Sequence, residues 1–232
     1  MISIPWPPLT RAILLKRYKR FLADALLADG QTITAHTANT GSMLTCSQPG
    51  RPIYLSHSPK PQRRYPYSWE MIEMPDGLVG VNTSLPNRLA ALAARAGFFP
   101  NWPPQAEVTQ EVKIGQSRLD LRLKTSDNSS IWVEVKNCSL VEAGVAYFPD
   151  AVTERGARHL RELAQLAQSG DRAIILILAQ RKAKIFRPAA HIDPVWAKTL
   201  REAIKLGVEI LAWGVDLTLT EASLGQPLEV EI

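Results

Sequence analysis

The stretch 117–136, SRLDLRLKTSDNSSIWVEVK, decides how this chain is read. Two runs alternate with period two, Leu119, Leu121, Leu123 and then Ile131, Val133, Val135, separated by a polar segment of turn-forming residues. Successive strand residues point to opposite faces, so the pattern predicts two consecutive strands, with the leucines on one face of the first and Arg118, Asp120 and Arg122 on the other. In the second strand Glu134 and Lys136 share the face opposite the valines. Adjacent strands of one sheet then bring Asp120 beside Glu134 and Lys136. Two carboxylates and an ammonium at one end of a sheet suit a divalent cation, Mg2+ or Mn2+, held through the oxygens of Asp120 and Glu134, with Lys136 orienting or activating a water against a phosphodiester. The spacing fits equally a solvent face on which charges of neighbouring strands only pair.

The elements around this stretch alternate between helix and strand. Pro86 followed by RLAALAARAG places Leu89, Leu92, Ala93 and Ala96 on one side of a helix that Gly97 ends. Val108 to Ile114 reads as a strand, and its Glu111 is a candidate third oxygen ligand, or else a strand carboxylate paired with Lys113 or Arg118. Asp150 or Thr153 caps a helix with Leu160, Leu163, Ala164 and Ala167 at helical spacing, ended by Ser169-Gly170. Arg172 to Ala179 reads as a buried strand, Val195 to Leu206 as a helix and Val208 to Trp213 as a last strand. The order α-β-β-β-α-β-α-β is that of the nuclease fold that carries the PD-(D/E)XK motif, although no proline precedes Asp120.

The segment before Leu85 has another character. Short apolar runs at Ala12–Leu15, Thr32–Ala35, Ile53–Leu55, Trp69–Met74 and Leu78–Val81 are broken by turn residues such as Ala28-Asp29-Gly30, Gln48-Pro49-Gly50 and Pro75-Asp76-Gly77, the spacing of a small five-stranded barrel. The expected architecture is therefore an α+β two-domain chain, with a basic barrel over 1–84 and a nuclease-like α/β domain over 85–232. Residues 1–84 hold nine basic against five acidic side chains, while the remainder holds 18 against 17, so most of the net charge of +5 sits on the barrel. Such an excess fits a polyanion partner, because cations that neutralise phosphates release condensed counterions, or a solvated basic face without a partner. Lys16, Arg17, Lys19 and Arg20 surround Tyr18 and Phe21, and Lys60, Arg63 and Arg64 precede Tyr65, Tyr67 and Trp69. Interleaved cations and rings suit a barrel surface that tracks phosphates and stacks bases, or the rings belong to the core. At the start of the helix after Asp150, Arg155, Arg158 and His159 fall on one side, facing nucleic acid or solvent. Asn39-Thr40-Gly41-Ser42 reads as a turn with a polar tip.

Composition sets further bounds. With 232 residues, 46% hydrophobic and 21% charged, the chain is globular rather than disordered, and its best apolar run, Ala173 to Ala179, is far short of the ~18–20 residues a membrane helix needs. The N-terminus MISIPWPPLTR lacks the pattern of an export signal, so a cytoplasmic location is expected. Cys46 and Cys138 are too few for a disulfide framework or a cysteine zinc site and are expected to be reduced and buried.

Several segments, RYKRFLADALLADG, HTANTGSM, VGVNTSLPNRL, EVKIGQSRLDLRL, WVEVKNCSLVE, FPDAVTERGARHLREL and GVEILAW, together resemble the sugar fermentation stimulation protein A family of bacteria and archaea, in order from about Arg17 to Trp213. The resemblance implies an OB-like barrel, a PD-(D/E)XK-type second domain and sequence-independent DNA binding, with a suggested role in regulating sugar (maltose) metabolism. Three functions fit the residues: a DNA-binding protein with a metal-dependent endonuclease or exonuclease site, a DNA-binding regulator whose acidic site is idle, and an interaction protein that meets RNA or an acidic protein. DNA contacts are expected from Arg17, Lys19, Arg20, Lys60, Arg63, Arg64 and Arg155. No helix-turn-helix or other base-reading motif is present to supply sequence specificity.

Overall fold

The structure, a computed structural model, describes residues 2–104, 106–115, 117–126 and 129–232. Its first strand, β1 (Ser3–Pro5), lies apart from the next six. Strands β2 (Leu9–Tyr18), β3 (Leu22–Leu27), β4 (Thr32–His36), β5 (Pro52–His57), β6 (Tyr67–Met74) and β7 (Gly77–Gly80) form one sheet in the order β4-β3-β2-β5-β6-β7. A parallel contact of β4 with β6, Ala35 opposite Tyr67 and His36 opposite Ser68, closes five of these into a barrel. Its interior holds Ala12, Leu14, Ala23, Ala25, Ala35, Ile53, Leu55, Trp69 and Ile72. Alanines on β2, β3 and β4 leave room for the one large ring, Trp69, as a narrow barrel requires. The barrel's fifth member is β3, which the apolar runs do not reveal, and β7 extends β6 as a hairpin. In LADALL the inward residues are mostly alanines, and Asp24 faces outward to accept hydrogen bonds from Tyr18 and Thr34, so the apolar signal is weak.

The remaining elements are α1 (Ser84–Arg95), β8 (Glu107–Ile114), β9 (Ser117–Lys124), β10 (Ser130–Cys138), β11 (Leu140–Glu142), β12 (Val145–Phe148), α2 (Glu154–Gln168), β13 (Arg172–Ala179), β14 (Ile185–Pro188), α3 (Pro194–Lys205), β15 (Glu209–Leu217), β16 (Glu221–Pro227) and β17 (Glu229–Val230). The expected α-β-β-β-α-β-α-β core is present in a seven-stranded sheet of order β1-β16-β15-β13-β10-β9-β8. β1 pairs with β16 and buries Ile4 in the second domain's core, so residues 3–5 belong by pairing to this sheet and not to the barrel. A small sheet, β11-β12-β14-β17, covers one end and is invisible as periodicity because its strands are only two to four residues long. Helix α1 packs Leu85, Leu89 and Ala93 on one face of the large sheet, against Leu121, Leu123, Val133, Val135 and Leu176. On the other face α2 and α3 pack Leu160, Leu163, Trp196 and Leu200 against Trp132, Ile175 and Ile177. Strand β13, parallel to both β10 and β15, is covered on both faces, which is why Ala173 to Ala179 is an unbroken apolar run. Thr153, not Asp150, caps α2 by accepting the Gly156 N–H at 3.0 Å, and Asp193 caps α3.

The expected single leucine face of β9 does not survive. Leu121 and Leu123 enter the core under α1, but Leu119 enters the opposite core under α2 and α3. Strand β8 crosses over in the same place, with Val108 on the α1 side and Val112 on the other. The crossover centres on Asp120. The β8–β9 register passes from Gln110↔Leu121 to Val112↔Leu119, and Glu111, opposite Asp120, has φ +56°. The β9–β10 ladder ends at Leu121↔Val133. Asp120 thus sits where its strand is unbridged on both sides, and its Oδ2 accepts the freed N–H of Val135 at 2.8 Å.

Candidate metal centre between barrel and sheet

The opening of the sheet at Asp120 forms the floor of a cleft of about 490 Å³, with Asp120, Glu134, Lys136 and Asn137 on the sheet side, Arg20, Asn39, Thr40 and Gly41 from the barrel, Val152 from the approach to α2 and Arg155 from its first turn. The two sides are tied together. Asp150 accepts hydrogen bonds from Ser42 Oγ at 3.1 Å and Met43 N at 3.1 Å, and Gly41 stands where a Cβ would meet Asp150 Oδ1 at 2.8 Å. The polar turn read at Asn39–Ser42 is therefore the barrel's half of this junction. A second tie runs from Gly80 N to the Gln180 carbonyl at 2.8 Å, and a third is the two-pronged ion pair of Arg181 with Asp76.

Inside the cleft the three residues singled out by spacing come together. Lys136 Nζ lies 2.6 Å from Glu134 Oε1, and the same oxygen accepts a hydrogen bond from Nδ1 of His159 on α2. Arg155 Nε donates to His159 Nε2 at 3.3 Å, so the ring proton resides on Nδ1 and points at Glu134. The other oxygen, Glu134 Oε2, is buried with no hydrogen-bond partner. Asp120 Oδ1 accepts from Asn87 Nδ2 of α1 at 2.9 Å. Burial, and then the charge of Glu134, raise the Asp120 carboxyl to about 6. Burial also works against the Glu134 anion, but Lys136 and His159 outweigh it and its pKa lies below the ordinary value. An Asp120 carboxylate whose charge is opposed by burial and by Glu134, beside a Glu134 with a bare buried oxygen, fits a hard cation, which would relieve the repulsion and take up the free lone pairs. The residues that would hold it are Asp120 and Glu134.

Other expected site residues fall differently. Glu111 is exposed, 3.4 Å from Arg118, and borders a separate cavity, so the ion-pair reading of that residue holds and it does not join the carboxylates in the cleft. Among the described residues no group of three or more His, Cys, Asp and Glu side chains is arranged as a metal cage. Arg17 does not face a ligand: its guanidinium donates to the carbonyls of Arg20, Asn39, Gly41 and Ser42 at 2.6–3.1 Å and thereby holds the turn that lines the cleft. Lys19 and Arg20, with φ +49° and +63°, form the β2–β3 turn, and Arg20 lines the cleft. Lys60, Arg63 and Arg64 lie exposed on the β5–β6 loop. Trp69 belongs to the barrel core, and Tyr18 is bonded to Asp24, whereas Phe21 is exposed and Tyr65 lies beneath Arg64 at 5.4 Å. Cys46 and Cys138 are free and buried, and burial pushes their thiols up to about 11 and about 12.

Spacing alone does not assign His159, Asn87 and Asp150 to the site. His159 and Asn87 each leave a trace: His159 sits four residues before Leu163 on the apolar stripe of α2, and Asn87 sits among the alanines and leucines of α1. A polar residue on a buried stripe signals a partner across the interface, but which partner depends on the packing.

An OB barrel joined to an α/β domain whose central sheet carries Asp120, Glu134 and Lys136 in a cleft defines a class of protein. Residues 15–81 match the SfsA N-terminal OB domain, and residues 84–221 match the sugar fermentation stimulation protein RE domain. The chain belongs to the sugar fermentation stimulation protein family. It is 44% identical over 231 residues to a homologue from Shewanella baltica (strain OS185), spanning 97% of this chain and 98% of that one. A homologue from Citrifermentans bemidjiense is 46% identical over 225 residues, 96% and 97% of the two chains. The solved structure of Pyrococcus furiosus SfsA in complex with Ca2+ superposes over the full length of both chains with a TM-score of 0.92 at 30% identity. No helix among the described residues is long and apolar enough to cross a membrane.

Proposed function

We propose that the protein binds DNA without regard to sequence and hydrolyses its phosphodiester bonds at a divalent-metal site made by Asp120 and Glu134, with Lys136 as the third functional group. One observation carries this reading: Glu134 has one oxygen held by Lys136 and His159 and the other left bare in the cleft that Asp120 shares. The Ca2+ in the Pyrococcus relative's complex supports a cation-binding role for the family, since Ca2+, Mg2+ and Mn2+ all prefer oxygen ligands.

A cation at this position supplies Lewis acidity, neutralising a phosphodiester and easing the deprotonation of water. The chain's own groups do the rest. Lys136, mostly buried beside Glu134, presents its ammonium to the cleft, where it orients a nucleophilic water and stabilises charge developing on a phosphate oxygen. His159 fixes the Glu134 carboxylate from behind, and Asn87 and the Val135 N–H fix that of Asp120. Arg20 and Arg155, both exposed on the rim, attract the phosphate. The role in sugar metabolism that the family's name carries would then act through nucleic acid.

The test is calorimetric titration with Mn2+ and Mg2+ and cleavage of single-stranded, duplex and branched DNA. Binding of either metal near one equivalent, lost in Glu134→Gln, and metal-dependent cleavage lost in Lys136→Ala are expected. Metal binding without any cleavage would leave a DNA-binding protein with an idle site, and absence of both would reduce Asp120 and Glu134 to paired charges. Binding should weaken steeply with salt, and a single operator preferred by roughly a thousandfold or more over random DNA would contradict the proposal.

A further inference from the structure

A second cavity, of about 510 Å³, opens on the other side of Arg155 and is lined by Glu111, Lys113, Ser117, Arg118, Arg155, Arg158 and His159. Four cations face one acid there. Glu111 is itself engaged with Arg118 at 3.4 Å, and Arg158 is braced by a hydrogen bond from its Nε to Ser117 Oγ at 3.2 Å. Arg155 lines both this cavity and the cleft of Asp120 and Glu134, so the two concavities adjoin across its side chain. The carboxylates are recessed in the cleft, the Glu134 side chain being only 4% exposed, beneath a roof formed by the barrel turn tied to Asp150. A B-form duplex is a stiff rod and cannot follow a recessed path under the barrel turn without bending or fraying. A single strand can.

We propose that the substrate is a single-stranded nucleic acid, or a strand end peeled from a duplex, that enters the cleft under the barrel turn and passes over Arg155, its following phosphates held by Lys113, Arg118 and Arg158. The proposal rests on the nucleic-acid reading of the cleft but not on cleavage, because the second cavity lies outside the metal ligands and its occupancy is read as affinity.

The experiment measures binding of fluorescein-labelled oligothymidylates of three and of ten nucleotides, and of a blunt ten-base-pair duplex, by anisotropy in EDTA across a salt series. Arg118→Gln/Arg158→Gln should weaken the ten-nucleotide strand on the order of tenfold and flatten its salt slope by about 0.7 for each phosphate no longer neutralised. The trinucleotide, which spans the cleft alone, should bind unchanged. Lys113→Gln/Arg118→Gln, two exposed strand positions, should repeat the result independently of the α2 brace. Unchanged ten-nucleotide binding in both variants would remove the path. Duplex binding as tight as the single strand, with the same weakening in the variants, would overturn the single-strand assignment. Since no metal is present, loss of catalysis cannot mimic either outcome.

Discussion

Replacing Asp120 by Asn should stabilise the metal-free protein while removing its affinity for metal. Burial and the Glu134 charge raise the Asp120 carboxyl from 3.8 to about 6. At about 1.4 kcal/mol per unit, holding this group ionised in the folded chain costs about 3 kcal/mol near neutral pH. Below about pH 4 folded and unfolded chains both carry the proton. Between about 4 and 6 the unfolded chain releases it and the folded chain keeps it, so stability falls as pH rises through that window and is flat above it. Asn cannot titrate, and it retains an oxygen for the Val135 N–H, with Asn87 turning its amide to meet the new NH2 group. Urea unfolding in EDTA should therefore give near parity of the two proteins at pH 4 and an advantage of up to about 3 kcal/mol for Asp120→Asn at pH 7.5. Added Mn2+ should raise the stability of the wild type and not of the variant. A variant less stable than wild type at pH 7.5, or a difference that does not change with pH, would refute the electrostatic account of the site.

Four other outcomes follow from particular interactions. His159→Ala leaves Glu134 Oε1 with Lys136 alone, and should weaken Mn2+ binding by about 10–100-fold in calorimetry while the far-ultraviolet circular dichroism is retained. Arg17→Ala should cost about 2–3 kcal/mol in urea unfolding because four carbonyls are left without their donor, with little change in the salt slope of DNA binding, because the guanidinium is occupied within the protein. Arg63→Gln/Arg64→Gln should weaken binding to all sequences alike and flatten the salt slope by about one unit per duplex phosphate no longer neutralised; an unchanged slope would place the DNA-binding surface elsewhere. Both thiols should resist a thiol reagent in the native protein and react fully in urea, as their burial and raised pKa values require.

Much of the architecture was legible because strand and helix periodicities are local properties. Ser117–Lys124 and Ser130–Cys138 fall on the alternating runs, and Arg172–Ala179 on the apolar run that two covered faces demand. Glu134 and Lys136 were placed correctly on one face because they are two residues apart in a regular strand, and Lys136 does pair with Glu134. Alternation brings Asp120 to the right neighbourhood for a partly wrong reason. Its strand changes faces at that residue, and the carboxylate points into a gap in the ladder, which no period-two rule contains.

The sequence by itself determined the longer helices and strands of the second domain, the two architectures and the trio at 120, 134 and 136, because propensity, patterning and strand alternation act over a few residues. Only the tertiary structure decided what surrounds the trio. His159 comes to Glu134 from α2, Asn87 to Asp120 from α1, and the barrel turn is drawn over the cleft by Asp150, 107–108 residues away in the chain. The same packing turned Arg17 inward and Glu111 away, although both had looked like ligand-facing charges. Charge and spacing state which groups are available, whereas burial and the closing of long loops decide which of them meet, and those depend on how the whole chain packs.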